Sequence, residues 1–124
     1  MKDTSVINMD FTQEQLAATK QCGIYAYPFK KVFIVLRIAD ALQDEAERAF
    51  YSEGSELYKA YERGRVDYDM RIDSLLFTTA VSTDKEARAL DRAAYLELKA
   101  RRDENLEEYE AQKRDYEARK SDKN

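Results

Sequence analysis

The sequence predicts an all-α protein, and three observations carry that prediction. One proline and three glycines in 124 residues leave too few turn residues for an all-β chain. Apolar residues recur at intervals of three and four, the period of one helical face. Charged residues make up 37% and hydrophobic residues 44%, which is too apolar for a disordered chain and highly charged for a compact globule. A small domain with an extended helical arm satisfies both figures.

Residues 1–11 read as a flexible arm. Thr12 with Gln15 three positions later forms a capping box for a first helix, and Gly23 is its expected stop. Pro28 suits the first position of a second helix, where Phe29, Val32, Phe33 and Leu36 fall on one face. "KVFIVLRI" is also β-prone, so a strand over 28–38 is the rival reading; the proline and the spacing favour helix. Asp40 is the expected cap of a third helix with Leu42, Ala46, Ala49 and Phe50 as its apolar face. Gly54 breaks the pattern, and Ser55 can cap the next helix.

A fourth helix is expected over 57–80. Leu57, Tyr61, Gly64, Tyr68, Ile72, Leu75 and Thr79 form its apolar stripe. A glycine inside a helix costs about 1 kcal/mol relative to alanine. Gly64 lies on the stripe, so the expected reason is a notch that lets another helix approach; a functional backbone contact is the alternative. Thr83 with Glu86 makes a second capping box, and nothing breaks the helix from there to about residue 120. Over 84–120 it would be about 55 Å long. Ala87, Leu90, Ala94 and Leu98 are expected to pack back on the fourth helix as an antiparallel hairpin. Beyond Leu98 the apolar residues thin out to Leu106, Tyr109 and Tyr116, a faint heptad seam, so this outer part is expected to fold only with partners.

The chemistry-bearing residues are sparse. Cys22 is alone and there is no histidine, which excludes an intrachain disulfide, a Cys/His zinc site and any His-based triad. No phosphate-binding loop or nucleophile elbow is present, and the carboxylates stand at helix-surface spacing, so no enzyme and no cofactor are expected. No stretch is apolar enough to span a membrane and no signal peptide opens the chain, so a cytoplasmic location without membrane contact is expected. Net charge is −4, yet between Glu14 and Asp40 there is no acidic residue, only Lys20, Lys30, Lys31 and Arg37. Tyr25 and Tyr27 lie among these cations. Lysines interleaved with aromatic rings are what a nucleic-acid contact needs; a tyrosine-packed turn made soluble by lysines is the equal alternative.

Three helices, then "ELYKAYERGR", a helix, "FTTAVSTDKEA" and another helix form an order that resembles the small subunits of phage DNA-packaging terminases and related prophage helix-turn-helix proteins of bacteria. The segment Tyr61 to Arg65 and the closing Leu76, Phe77 and Ala80 carry the resemblance, which covers roughly residues 11–98. It implies a helix-turn-helix-like DNA-binding unit over 12–53, a helical hairpin for oligomerisation over 55–98, and a charged helical tail over 99–124. It also implies a non-catalytic factor that forms a homo-oligomer, ring-shaped in that family. Such a factor binds double-stranded viral DNA in the bacterial host cytoplasm and hands it to the large ATPase and nuclease subunit. By position, Lys20, Lys30, Lys31 and Arg37 fall in the DNA-binding unit. Leu57, Tyr61, Gly64, Tyr68, Ile72 and Leu75 fall in the oligomerisation region. The third helix departs from the pattern: Asp40, Asp44, Glu45 and Glu47 stand against Arg48 alone, and phosphate repels such a surface. Either the second helix contacts DNA, or DNA binding is weak and needs many copies in a ring, or the unit binds protein; any DNA binding is expected to be salt-dependent and to run through Lys20, Lys30, Lys31 and Arg37. A helical adaptor that binds proteins through the long C-terminal helix and a transcription regulator with the same N-terminal unit are the other readings.

Overall fold

A computed structural model describes residues 9–81 and 85–122. Within them the chain is helical and contains no strand: α1 Gln13–Ile24, α2 Phe29–Leu36, a 3-10 turn Asp40–Leu42, α3 Gln43–Tyr51, α4 Glu56–Val81 and α5 Lys85–Asp122. The arm before Met9 and the Thr83–Glu86 box lie outside the described residues, as do the side chains of Leu76, Thr79, Ala80, Ala87 and Leu90.

Local chemistry sets the helix starts. The Thr12 hydroxyl accepts from the Gln15 amide and the Gln15 side chain accepts from the Thr12 amide, both at 3.0 Å. Ser55 accepts from the Tyr58 amide at 3.0 Å and donates to the Ala49 carbonyl, tying the start of α4 to the end of α3. Residues 29–36 are helix rather than strand, with Phe29, Val32, Phe33 and Leu36 buried on one face. Asp40 does not cap α3; it begins the 3-10 turn, and α3 starts at Gln43 without a side-chain cap. Ala46, Ala49 and Phe50 are buried as expected, whereas Leu42 remains exposed on that turn.

Gly23 does not stop α1. The helix runs through it, and the left-handed residue that closes the turn is Ala26, with φ 57°. The Ala26 amide donates to the Gly23 carbonyl at 3.1 Å and the Tyr27 amide to the Cys22 carbonyl at 3.0 Å, the paired bonds of a Schellman ending. Gly23 and Gly64 are instead the contact point at which α1 crosses α4. A Cβ on Gly64 would run into the Lys20 carbonyl oxygen and stand 2.9 Å from the Ile24 nitrogen and 3.0 Å from the Gly23 Cα. A Cβ on Gly23 would meet the Tyr61 carbonyl oxygen in the same way, with the Gly64 Cα at 3.1 Å. The notch on α4 is thus filled by the chain's own first helix, backbone against backbone.

The core gathers Cys22, Phe29, Val32, Phe33, Leu36, Ala46, Ala49, Phe50, Leu57 and Tyr61 from the first four helices, and Tyr109 from α5. That last residue reverses the expectation for the C-terminal half. Leu98 is 46% exposed and Ala94 is exposed, whereas Tyr109, in the segment expected to fold only with partners, is 4% exposed. Hairpin geometry is the reason. Residues equally far from the turn face each other: Tyr68 meets Arg102 and Tyr61 meets Tyr109, each pair equidistant in sequence from Lys85. Only the first half of α4 lies on the bundle, so α5 must travel an equal distance before it reaches the bundle. The arm projects, and the tail returns.

Residues between Arg102 and Arg119 of α5 make that return contact. The Arg102 guanidinium lies 4.0 Å over the Tyr68 ring and donates to the Ile24 carbonyl at 3.2 Å. Asn105 donates to the Tyr25 carbonyl at 2.9 Å, and Leu106 packs against the core. Tyr109 stacks on Tyr61 with centroids 5.5 Å apart. The Gln112 side-chain oxygen accepts from the Lys30 amide at 3.0 Å, which caps the start of α2, where Pro28 offers no side-chain cap. Tyr116 stacks on Tyr51 at 4.7 Å, and Arg119 grips Glu47 with both terminal nitrogens, at 3.3 and 2.7 Å.

Candidate nucleic-acid interface

The acid-free segment forms the end of α1, the turn after it and α2. Burial of Phe29, Val32, Phe33 and Leu36 turns the opposite face of α2 outward, so Lys30, Lys31, Ile34 and Val35 are exposed. Lys30, Ile34 and Arg37 follow at one-turn spacing and line a groove of about 320 Å³ with Phe33, Ile38, Asp40 and Gln43, so one carboxylate stands among its cations. Arg37 is held outward in the left-handed conformation at the C-cap, with φ 55°. There its charge also complements the partial negative charge of the helix end. Lys31 lies beside this row, its ammonium 4.4 Å over the Tyr27 ring. Tyr25 and Tyr27 are 5.4 Å apart, and Tyr25 is 45% exposed.

Five of the six sequence-selected residues are therefore neighbours on one surface, and Lys20 is not among them. Lys20 lines a separate groove between α1 and α4, of about 530 Å³, with Tyr58, Lys59, Glu62 and Arg63. Sequence proximity misplaced it because residues 20 and 30 are separated by the reversal at Ala26. Lys59 and Arg63 are the cations that reasoning from charge runs missed. Their i,i+4 spacing was legible, but the intervening Glu62 hid it.

α3 presents no equivalent surface. Asp44 and Glu45 are exposed, Glu47 is bound to Arg119, and Tyr51 lies under Tyr116. α5 thus runs along the helix that would serve as a recognition helix. The stripe Leu57, Tyr61, Gly64, Tyr68, Ile72 and Leu75 is likewise engaged within the chain. Leu57, Tyr61 and Gly64 are buried against α1 and the core, Tyr68 lies under Arg102, and Ile72 and Leu75 are half-buried. Tyr61 closes its own polar end by donating to the Tyr27 carbonyl at 2.9 Å.

Titration behaviour follows burial. Cys22 is pushed up to about 11 by burial, partly offset by the Lys31 charge, so its thiol is protonated and unreactive near neutrality. Tyr109 is pushed up to about 12 and Tyr61 and Tyr51 higher still, each chiefly by burial. None of the described helices is long and apolar enough to cross a membrane. Comparison with known protein families, with curated proteins and with solved structures finds no match for this chain.

Proposed function

We propose that this chain is a non-catalytic DNA-binding protein of the terminase small-subunit kind. In this reading it works as a homo-oligomer, holds double-stranded DNA on the exposed face of α2, and delivers it to a large ATPase and nuclease subunit. One observation carries the reading. Lys30, Lys31 and Arg37 share an outward face with Tyr25 and Tyr27, in a stretch without acidic residues that ends at Asp40 on the rim of the same groove, while α3 exposes Asp44 and Glu45. A phosphate backbone is attracted to the first surface and repelled by the second, which orients the molecule on DNA without any base being read. Two or three phosphate contacts per subunit bind feebly, and repetition in an oligomer supplies the affinity by avidity.

The test is retention on duplex DNA at low salt, with each phosphate contact adding roughly 0.9 to the slope of log affinity against log salt. Lys30→Glu with Lys31→Glu should abolish retention without changing the oligomer's mass. Lys113→Glu with Arg114→Glu, on α5, should leave it nearly intact. If the wild-type protein is not retained, or if the α5 pair is the one that matters, the DNA reading is wrong. A protein-binding adaptor is the second reading, favoured by Ile34, which is 74% exposed between Lys30 and Arg37 and has no role against phosphate.

A further inference from the structure

The far side of α4 carries a second seam that the described residues leave open. Lys59, Arg63, Val66, Met70, Asp73 and Phe77 follow one another at steps of four, three, four, three and four, and all six are exposed. They fall about half a turn from Leu57, Tyr61, Gly64 and Tyr68, the face given to α1 and α5. Val66 is 55%, Met70 63% and Phe77 70% exposed. Steps that alternate between four and three residues keep one helical face in line, the pattern of a helix that packs lengthwise on another helix.

The seam is its own complement when reversed. About the level of Tyr68, Val66 is equidistant with Met70, Arg63 with Asp73, and Lys59 with Phe77. We propose that a second copy of this chain docks here, α4 antiparallel on α4 about a twofold axis at Tyr68. Val66 and Met70 form the apolar centre twice over, and Arg63 of each copy meets Asp73 of the other. Among the described residues neither Arg63 nor Asp73 is in an ion pair, whereas the neighbouring Glu62, Asp67 and Asp69 are held by Arg65, Arg71 and Arg102. At each end Phe77 reaches the level of Lys59, beside the 530 Å³ groove lined by Lys20, Tyr58, Lys59 and Arg63, whose cations favour the face of an aromatic ring. A parallel pairing would set Arg63 on Arg63 and Asp73 on Asp73, and like charges oppose it. An interface that is the same patch on both partners closes at two copies. The proposal names a twofold contact within the self-association proposed above, not the head-to-tail contact that would close a ring, and does not depend on the DNA contact.

Register is tested by cross-linking. Arg63→Cys and Asp73→Cys proteins, mixed and mildly oxidised, should give a linked dimer, while each alone should not. A disulfide needs Cα atoms within about 7 Å, and like positions would stand about 15 Å apart along the axis, ten residues at 1.5 Å each. Cys22 is buried and does not compete. Self-linking of either variant alone, or no link in the mixture, overturns the proposal. Native mass measurement gives the second arm. The wild type should be a dimer, and Phe77→Ser and Arg63→Asp should each weaken it by about tenfold or more. Arg63→Asp with Asp73→Arg should restore it. A monomeric wild type, an unaffected Phe77→Ser protein, or no rescue by the double exchange refutes it. Lys30→Glu with Lys31→Glu should stay dimeric whatever its DNA binding, so failure of either proposal is recognised separately.

Discussion

Replacing Gly64 with alanine is the most direct test of the α1–α4 crossing. At an unconstrained helical site the change would stabilise by about 1 kcal/mol. Here the added methyl overlaps the Lys20 carbonyl oxygen and stands 2.9 Å from the Ile24 nitrogen and 3.0 Å from the Gly23 Cα. All three are backbone atoms of a regular helix, so no side-chain rotation relieves the overlap. The helices must separate along their crossing, which loosens Tyr61 against Tyr109 and Phe50 as well. Overpacking typically costs about 1–3 kcal/mol, occasionally more. Because the helical gain is included in any measured value, the expected net destabilisation is about 1–3 kcal/mol. Gly54→Ala is the control: nothing lies within 4 Å of a Cβ there, so that variant should match the wild type or exceed it slightly. Urea unfolding followed by circular dichroism would read the difference as a shift in midpoint at constant slope. Gly23→Ala with Gly64→Ala should cost less than the sum of the single changes, since the first separation relieves the second overlap. A Gly64→Ala protein as stable as the wild type would show that the two backbones do not touch.

Two further expectations concern α5, and two surface proposals complete the set. Tyr109→Ala should cost about 3–5 kcal/mol, the loss expected on truncating a buried aromatic, and hydrogen exchange should be slower over 102–119 than over 92–99; the opposite order would refute the returning tail. The tyrosine contribution to stability should be level below pH 10, the ordinary tyrosine value, and fall as pH rises toward about 12, because folded Tyr109 keeps its proton after the unfolded chain has lost it. Tyr61 and Tyr51 extend that loss further, and a Tyr109→Phe protein whose stability falls as steeply over the same range would contradict the assignment to Tyr109. On the surface, duplex DNA retention should disappear with Lys30→Glu and Lys31→Glu. Dimerisation should weaken by about tenfold or more with Phe77→Ser.

The local features were legible in the sequence because their causes are local. The Thr12–Gln15 box, the Ser55 cap and the buried face of α2 each depend on residues within one or two turns, and each stands where the spacing put it. Helix content came from the shortage of turn residues. The apolar stripe of α4 and the glycine on it were legible too, but not what would fill the notch.

What tertiary structure decided is the use of residues whose role depends on distant partners. Gly23 had two roles open to it, helix stop or contact point, and only the position of Gly64 chose between them. Arg102, Asn105, Tyr109, Gln112, Tyr116 and Arg119 recur at steps of three and four, but most are polar, so a search for apolar periodicity passes over them. Their partners are the Ile24 and Tyr25 carbonyls, the Lys30 amide, tyrosine rings and Glu47, groups that favour a cation, an amide or a ring over an aliphatic chain. Lys20 left the basic surface because Ala26 turns the chain between it and Lys30. Sequence pattern determined which faces this chain must bury. The length of the hairpin determined which residues reach the bundle to cover them, because a helix returning from a projecting arm meets the domain only after it has retraced the arm.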